Sequence, residues 1–462
     1  MPTRTCSGET HAAPHSLKGG ESDRCSRASE VMAFLAPGSS FLSTYWKPGY
    51  VRRCLDPVGR SSRWMQAPSS RVPRASSPQG MHVLVVTNVR QPILEAYVSP
   101  LAALDEVAEV VIVRDRPDVE LGRKVRVAAP PPWWPHTTVT KLLSRAYLLR
   151  REVARTRPHV MMTVHWFPDG PGLLRLARRI RVPVVANIIG GRAELMDGGR
   201  RVALSHLPRA LKRWAQGYQR DRLNATAAIS CTGSTTSNWL REAGVVRPTL
   251  MTLHAALDDA WFRDAVSRDI DVVYVGRADP DKRIDRLLRT LAAIGVRRPG
   301  TQVAVVSVTE AELMNYPELV TARAALGRGL NLLGRVDSVS DVLSRAKVLL
   351  LTSDTEGRTL AVLEAMACGT VPVVTDVGDL REALDDGRAG ITAPLHGSEE
   401  TVVALLADAV IALLNDEPRR KAMADRGRDH VRREHDPTRT REEWRALIRV
   451  AMGSKDGPCA SS

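Results

Sequence analysis

The chain has 462 residues, 44% of them apolar, and a formal net charge of +15. That length suits two or three domains, and the basic balance points to nucleic acid, anionic lipid or phosphorylated ligands without choosing among them. The six cysteines (Cys6, Cys25, Cys54, Cys231, Cys368, Cys459) show neither zinc-site spacing nor a disulfide framework, and no apolar run approaches the ~20 residues of a membrane span. A reducing, cytoplasmic compartment is the expectation.

Residues 1–80 are rich in Ser, Arg, Pro and Gly with scattered apolar positions, and lack the layout of a signal peptide. Two readings are open: a disordered or loosely ordered extension, or a mis-called start with translation beginning at Met81. From Met81 the chain alternates strand and helix. MHVLVV (81–86) reads as a strand, Pro92 to Val107 as a helix, 110–113 as a strand and 137–156 as a basic amphipathic helix. Strands at 159–164 and 183–189 enclose a helix at 172–180. A helix over 205–223, a strand at 227–230, a helix over 234–243 and a strand near 249–253 follow. Residues 254–270 break the pattern around Trp261-Phe262. The alternation then restarts: strand 271–276, helix 283–294, strand 302–308, helix 317–326, strand 331–333, helix 338–345. Helices at 398–415, 417–434 and 439–452 close the chain. Such alternation predicts an α/β protein with two Rossmann-like parallel-sheet domains facing a cleft. The expected divisions are 1–80, an N-terminal domain over 81–258, a C-terminal domain over 259–435, and a terminal helix and tail over 436–462.

The stretch 350–378, LLTSDTEGRTLAVLEAMACGTVPVVTDVG, carries the chemistry. A strand at 348–351 ends in a polar loop, a helix runs from about Thr359 to Cys368, and Gly369 stops it before a strand at 371–375. Ligands of parallel sheets sit at the carboxyl ends of the strands, where Glu356 falls. Glu364 follows inside the helix, and between the two carboxylates lies a helix N-terminus with free N–H groups suited to phosphate. Two glutamates alone are usually solvated charges; the strand–loop–helix setting is what makes them a sugar-nucleotide candidate. A second motif, Val275-Gly276-Arg277-Ala278-Asp279-Pro280-Asp281-Lys282-Arg283, follows the strand at 271–276. Gly276 permits close backbone approach, and Arg277 and Lys282 can neutralise a diphosphate. The competing reading is a charged surface loop with a helix cap.

These segments, with Leu330-Asn331-Leu332-Leu333-Gly334-Arg335-Val336, resemble the donor half of the retaining GT-B glycosyltransferases of family four, the group 1 glycosyltransferases. The resemblance covers about residues 250–395 strongly and 81–250 more weakly. It implies a retaining, metal-independent transferase that uses no cofactor and takes a UDP- or GDP-linked sugar as substrate. It implies that Arg277 and Lys282 hold the diphosphate, Glu356 the donor-sugar hydroxyls and Glu364 the ribose. Backbone N–H groups near Thr359 and Leu360 would meet a phosphate, and Gly334 to Val336 would border the base. In the first domain, His165 would contact the donor near the reacting carbon, although a lone histidine is more often a structural partner. Asp169 could face the acceptor. The turn Gly190-Gly191 with Glu194 resembles that of polysaccharide-building members, with Glu194 able to bind an acceptor hydroxyl; a plain tight turn is the alternative.

Departures from the family are visible. Asn88-Val89-Arg90-Gln91-Pro92 stands where a glycine pair is usual, leaving Arg90 as a substitute. Ser307-Val308-Thr309 stands in place of a Gly-x-Gly-Pro turn, and Val377-Gly378-Asp379 in place of a Gly-Gly pair. The basic helices at 137–156 and 205–223, with Trp133-Trp134, are read either as surface helices packed on the first sheet or as peripheral contacts with an anionic membrane carrying a lipid-linked acceptor. Other readings are a nucleotide-sugar epimerase, a sugar phosphorylase or a non-catalytic partner protein. No nucleic-acid module is visible and the basic residues are dispersed.

Overall fold

The computed structural model describes residues 80–131, 133–134, 137–195, 208–263 and 267–453. The expectations for residues 1–79 lie outside that set. Thirteen strands among the described residues form two sheets, parallel throughout. The first has the order β3-β2-β1-β4-β5-β6-β7: β1 (Met81–Val86), β2 (Val107–Val113), β3 (Val125–Ala128), β4 (Val160–Val164), β5 (Val184–Ile188), β6 (Ala228–Cys231) and β7 (Thr249–Thr252). The second has the order β10-β9-β8-β11-β12-β13: β8 (Ile270–Val275), β9 (Val303–Val306), β10 (Leu330–Gly334), β11 (Ala346–Leu351), β12 (Val371–Thr375) and β13 (Ile391–Ala393). The central strands are buried on both faces and read as near-continuous apolar runs, as sheets covered by helices require. In each sheet the strand order reverses once, between β1 and β4 and between β8 and β11. Crevices open at such switch points, at the carboxyl ends of the strands.

The first sheet is covered by α1 (Gln91–Ala102), α2 (Thr138–Thr156), α3 (Gly170–Ile180), α4 (Arg209–Leu223) and α5 (Ser234–Glu242). The second carries α6 (Ile284–Arg297), α7 (Glu318–Leu326), α8 (Val339–Arg345), α9 (Leu360–Ala367), α10 (Glu399–Asn415) and α11 (Glu417–Glu434). One apolar core fills the face of the first sheet under α1 and continues into the second sheet; another, built round the fully buried Trp166, fills the first sheet's opposite face.

Two expectations change. The first helix ends at Ala102, because Val107 already belongs to β2. The edge strands β3 and β13 are additional. The terminal helix, α12 (Pro437–Ala451), lies back on the first domain, packing on α1 and near β5, β6 and β7. Its Trp444 is fully buried, and the indole Nε1–H donates to the carbonyl of Tyr97 at 2.7 Å. The chain therefore crosses between the domains twice, after β7 and near 435. The two crossings are bonded to each other: Leu257 N–H donates to the His435 carbonyl at 2.9 Å, and His435 Nδ1–H to that of Ala255 at 2.7 Å. Burial, with the nearby Arg358 and His254, holds the His435 imidazole neutral, its pKa well below the usual value.

Candidate active site

The second-domain wall is built at the β8–β11 switch point. After β8 the chain passes Gly276 and Arg277 and makes a 3₁₀ turn over Pro280–Lys282. Two bonds stitch this turn to the loop after β11: Asp354 N–H to the Asp281 carbonyl at 2.9 Å, and Thr352 Oγ1–H to that of Lys282 at 3.1 Å. Lys282 Nζ consequently sits 2.5 Å from Glu356 Oε1, and Ser353 Oγ–H donates to the same oxygen at 2.6 Å. Glu356 is buried, while Arg277 is half exposed and paired with Asp279 at 2.8 Å. Beneath the loops Arg286 bridges Glu399 at 2.5 Å and the Thr352 carbonyl at 2.9 Å. Arg283 joins Asp285 at 2.7 Å and Asp354 at 3.1 Å. Sequence reasoning passed over Arg286 and Glu399; they lie 113 positions apart and carry no local signature.

Thr359 is the N-cap of α9 in extended conformation, and its side chain makes no capping bond. Val362 N–H turns back to the Thr359 carbonyl at 3.2 Å, and the N–H groups of Leu360 and Ala361 are left to another acceptor. Glu364, one turn on, borders a cavity of about 460 Å³ between α9, α1 and the crossing segment, shared with Leu360, Trp261 and Pro92. Burial pushes its carboxyl pKa up to about 7. A carboxyl whose pKa is higher folded than unfolded favours the folded state most while protonated, so this contribution is lost as pH rises from about 4.5 through 7. Glu364→Gln is expected to match wild-type stability near pH 4 and to exceed it at pH 8 by up to about 3 kcal/mol in urea unfolding. Equal pH dependence in the two proteins would count against it. At the sheet's outer edge Val336 is partly buried and packs on the core, and Gly334 adopts φ +60°. Ser307 has φ +69°, a left-handed conformation that glycine adopts more readily, at the position where the family's turn differs.

The first-domain wall follows β4. His165, with φ +72°, places Nδ1 3.0 Å from Glu194 Oε1. Glu194 is buried on the 3₁₀ turn Gly191–Leu195. Its Oε2 accepts from Trp166 N–H at 2.8 Å, and its Oε1 accepts from Gly190 N–H as well. Both oxygens are thus engaged within the protein, and the contact with His165 ties that ring to the turn. Burial opposes charging of the imidazole, but the attraction and hydrogen bond of Glu194 outweigh it and raise the pKa, while Arg277 across the cleft lowers it. Asp169 is also held within the first domain. Arg145 of α2 bonds both its oxygens, at 2.6 and 2.8 Å, and also meets Asp115 at 3.1 Å. Burial raises the Asp169 pKa despite that partner. Arg90 is exposed at the start of α1.

The two walls touch through glycines. A Cβ on Gly191 (φ +63°) would lie 2.7 Å from the Glu356 carbonyl oxygen, one on Gly357 would collide with the Ile189 carbonyl, and one on Gly378 would collide with that of Glu356. Side chains at Gly191 and Gly357 would hold the walls apart, while one at Gly378 would crowd the donor loop within the second wall. Beside this seam, Asp379 of the second domain is fully buried and caps α5 of the first. It accepts from Thr232 Oγ1 at 2.6 Å, Thr236 Oγ1 at 2.6 Å and Thr236 N–H at 3.0 Å. Glu382 accepts from Ser234 N–H and Oγ at 2.7 Å each and pairs with the buried Arg358.

Two parallel sheets whose switch points face one cleft define the GT-B architecture. Among solved structures the chain is similar to sucrose-phosphate synthase from Thermosynechococcus elongatus (TM-score 0.63, 16% identity, 81% of this chain and 100% of that one). It is also similar to Anabaena HepE in complex with UDP (TM-score 0.56, 15% identity, 79% and 98%). The family described as Glycosyl transferases group 1 matches residues 269–416, and that described as Glycosyltransferase Family 4 matches residues 101–261. With one match on each domain, the chain belongs to the family-four, group 1 glycosyltransferases. A D-inositol 3-phosphate glycosyltransferase of Kribbella flavida is 32% identical over 207 residues, 40% of this chain and 46% of that protein. A glycogen synthase of Mycobacterium tuberculosis is 26% identical over 280 residues, 59% and 64%. The chain thus spans about half to under two thirds of the length of these relatives.

Proposed function

We propose that the chain moves a sugar from a nucleotide-sugar donor to a hydroxyl acceptor with retention of configuration, in polysaccharide, glycolipid or other glycoconjugate synthesis. The observation that carries this reading is the convergence of Lys282, Glu356 and Arg277 at one switch point opposite His165. Lys282 and Arg277 neutralise the departing diphosphate, and the uncapped start of α9 at Thr359–Leu360 receives a phosphate oxygen. Glu356 accepts donor-sugar hydroxyls with its geometry set by Ser353 and Lys282; Glu364 accepts from the ribose, and Val336 borders the base beside Gly276 and Gly334. His165, oriented by Glu194, donates to the donor beside the reacting carbon. The acceptor hydroxyl attacks from the same face, next to Gly190 and Gly191. The complexes of HepE with UDP and UDP-glucose support trying uridine donors first. The test is incubation with labelled UDP-, GDP- and ADP-sugars and an acceptor panel, reading nucleotide release and product anomeric configuration by NMR. Epimerised sugar or sugar phosphate as the product would overturn the reading.

A second element concerns the acceptor's setting. Both basic helices bury one apolar face, Leu148 and Leu149 on α2 among it, and leave other apolar side chains outside: Leu143 is 61% and Tyr147 65% exposed on α2, and Trp133 in the preceding loop is 76% exposed. On α4 the buried positions are Ala215, Gln219 and Leu223, while Trp214 and Tyr218 stack on each other at the surface. Among the described residues no helix is long and apolar enough to cross a membrane. Exposed aromatic and leucine side chains among arginines suit contact with an anionic bilayer at the cytoplasmic face, where a lipid-linked acceptor would lie. Flotation with anionic vesicles at low salt is expected to carry the wild type upward. Leu143→Glu with Tyr147→Ser should stay at the bottom; equal flotation of both would remove the idea.

A further inference from the structure

At the amino ends of the second-sheet strands, about 20 Å along the sheet from the donor loops, lies a cavity of about 550 Å³ between the start of β8, β11 and α11. Its cations are Arg268, Lys347, Arg420, Lys421 and Arg428, set against two acids, Glu417 and Asp425. Lys347 is balanced from below by Asp271 at 2.7 Å, and Arg420 lies 4.0 Å from the exposed Glu417. Burial depresses the Arg268 guanidinium pKa, and the like charges of Arg428 and Arg420 add to this. Gly369 (φ +72°) forms part of the wall; a Cβ there would lie 2.7 Å from Arg268 and 3.4 Å from Arg428, so its bare backbone is what admits both arginines. The volume is that of a small-molecule site, and clustered guanidiniums on a concave wall favour phosphoryl oxygens over a flat macromolecular partner.

We propose that this cavity is an anion site for a small diphosphate or phosphorylated metabolite, separate from the sugar donor. The site is coupled to the donor wall through α9. Arg268 donates to the carbonyl of Cys368, the C-cap of that helix, at 2.8 Å, and also to that of Ala346. The opposite end of the same eight-residue helix, about 12 Å away, is the start at Thr359–Leu360. An anion drawing Arg268 toward the cavity loosens one end of the helix whose other end faces the donor.

Sodium pyrophosphate is the probe, titrated calorimetrically into the full chain at constant ionic strength. Two binding events are expected in the wild type. Lys282→Ala should weaken the donor-side event and keep the other. Arg420→Ala with Lys421→Ala should raise the Kd of the other at least tenfold, and Lys421→Glu, at an exposed position, provides a second variant that is safe for folding. Hydrogen exchange should show pyrophosphate-dependent protection of 417–428. A single event lost entirely in Lys282→Ala, titrations of the 420/421 variants that match wild type, or protection confined to 276–282 and 356–364 would overturn the site. Each of these outcomes leaves the sugar-transfer reading standing, because that reading is tested by product analysis with labelled donors and by the turnover of Lys282→Ala.

Discussion

Lys282→Ala is expected to lower kcat/KM for sugar transfer by about 10³-fold while the circular dichroism and unfolding midpoint stay near wild type. The magnitude is that of removing one preorganised charge-stabilising group from a water-poor site. Lys282 reaches Glu356 from a 3₁₀ turn whose backbone is tied to the loop after β11 by Asp354 and Thr352, so its ammonium is held in place before any ligand arrives. The fold is spared because Glu356 keeps its bond from Ser353 and because Arg283 and Arg286, not Lys282, anchor the loops underneath. Lys282→Arg should rescue little, since a planar fork cannot replace a compact ammonium in the space beside Glu356. Turnover within tenfold of wild type in the alanine variant would remove Lys282 from the site.

Asp379→Ala is expected to destabilise the protein by about 3 kcal/mol in urea unfolding, with Asp379→Asn costing less than half of that. The carboxylate accepts two hydroxyls and one backbone N–H across the domain boundary, and charge-assisted bonds to buried groups contribute about 1.5–3 kcal/mol each before the partners relax. Alanine leaves both threonine hydroxyls and the start of α5 without this partner; asparagine retains one acceptor oxygen. Because Asp379 N–H also meets the Gly357 carbonyl at 3.3 Å, the donor loop should loosen along with the boundary, and donor KM should rise. An unchanged unfolding midpoint in the alanine variant would show that the boundary is held by other means.

The central strands were legible because a sheet covered on both faces demands unbroken apolar runs, and MHVLVV, VMMTV and VPVVT supply them. β3 and β13 were not. In VRVA the run is interrupted by Arg126, which pairs with Glu109 and Glu152, and ITA is only three residues long. The wall holding Lys282 and Glu356 could be read because its residues sit at fixed offsets from strand ends. Asp379 and Glu382 could not, since the helix they cap lies more than 140 positions away. The one available clue was the aspartate standing where a second glycine is usual. The turn holding Glu194 is legible, but its pairing with His165 is not, because sequence offset cannot say whether a carboxylate turns outward or back onto a neighbouring ring.

The paired crossings at 255–257 and 435 bear on how the cleft can move. Domains joined by one strand can swivel about several axes. Two strands bonded side by side behave as a door hinge and leave mainly one angle free. Opening and shutting then form a single coordinate, so anything that grips either wall, whether sugar nucleotide, acceptor or Asp379 on its helix, pulls on the same angle. Order of binding would in that case be written into the joint itself.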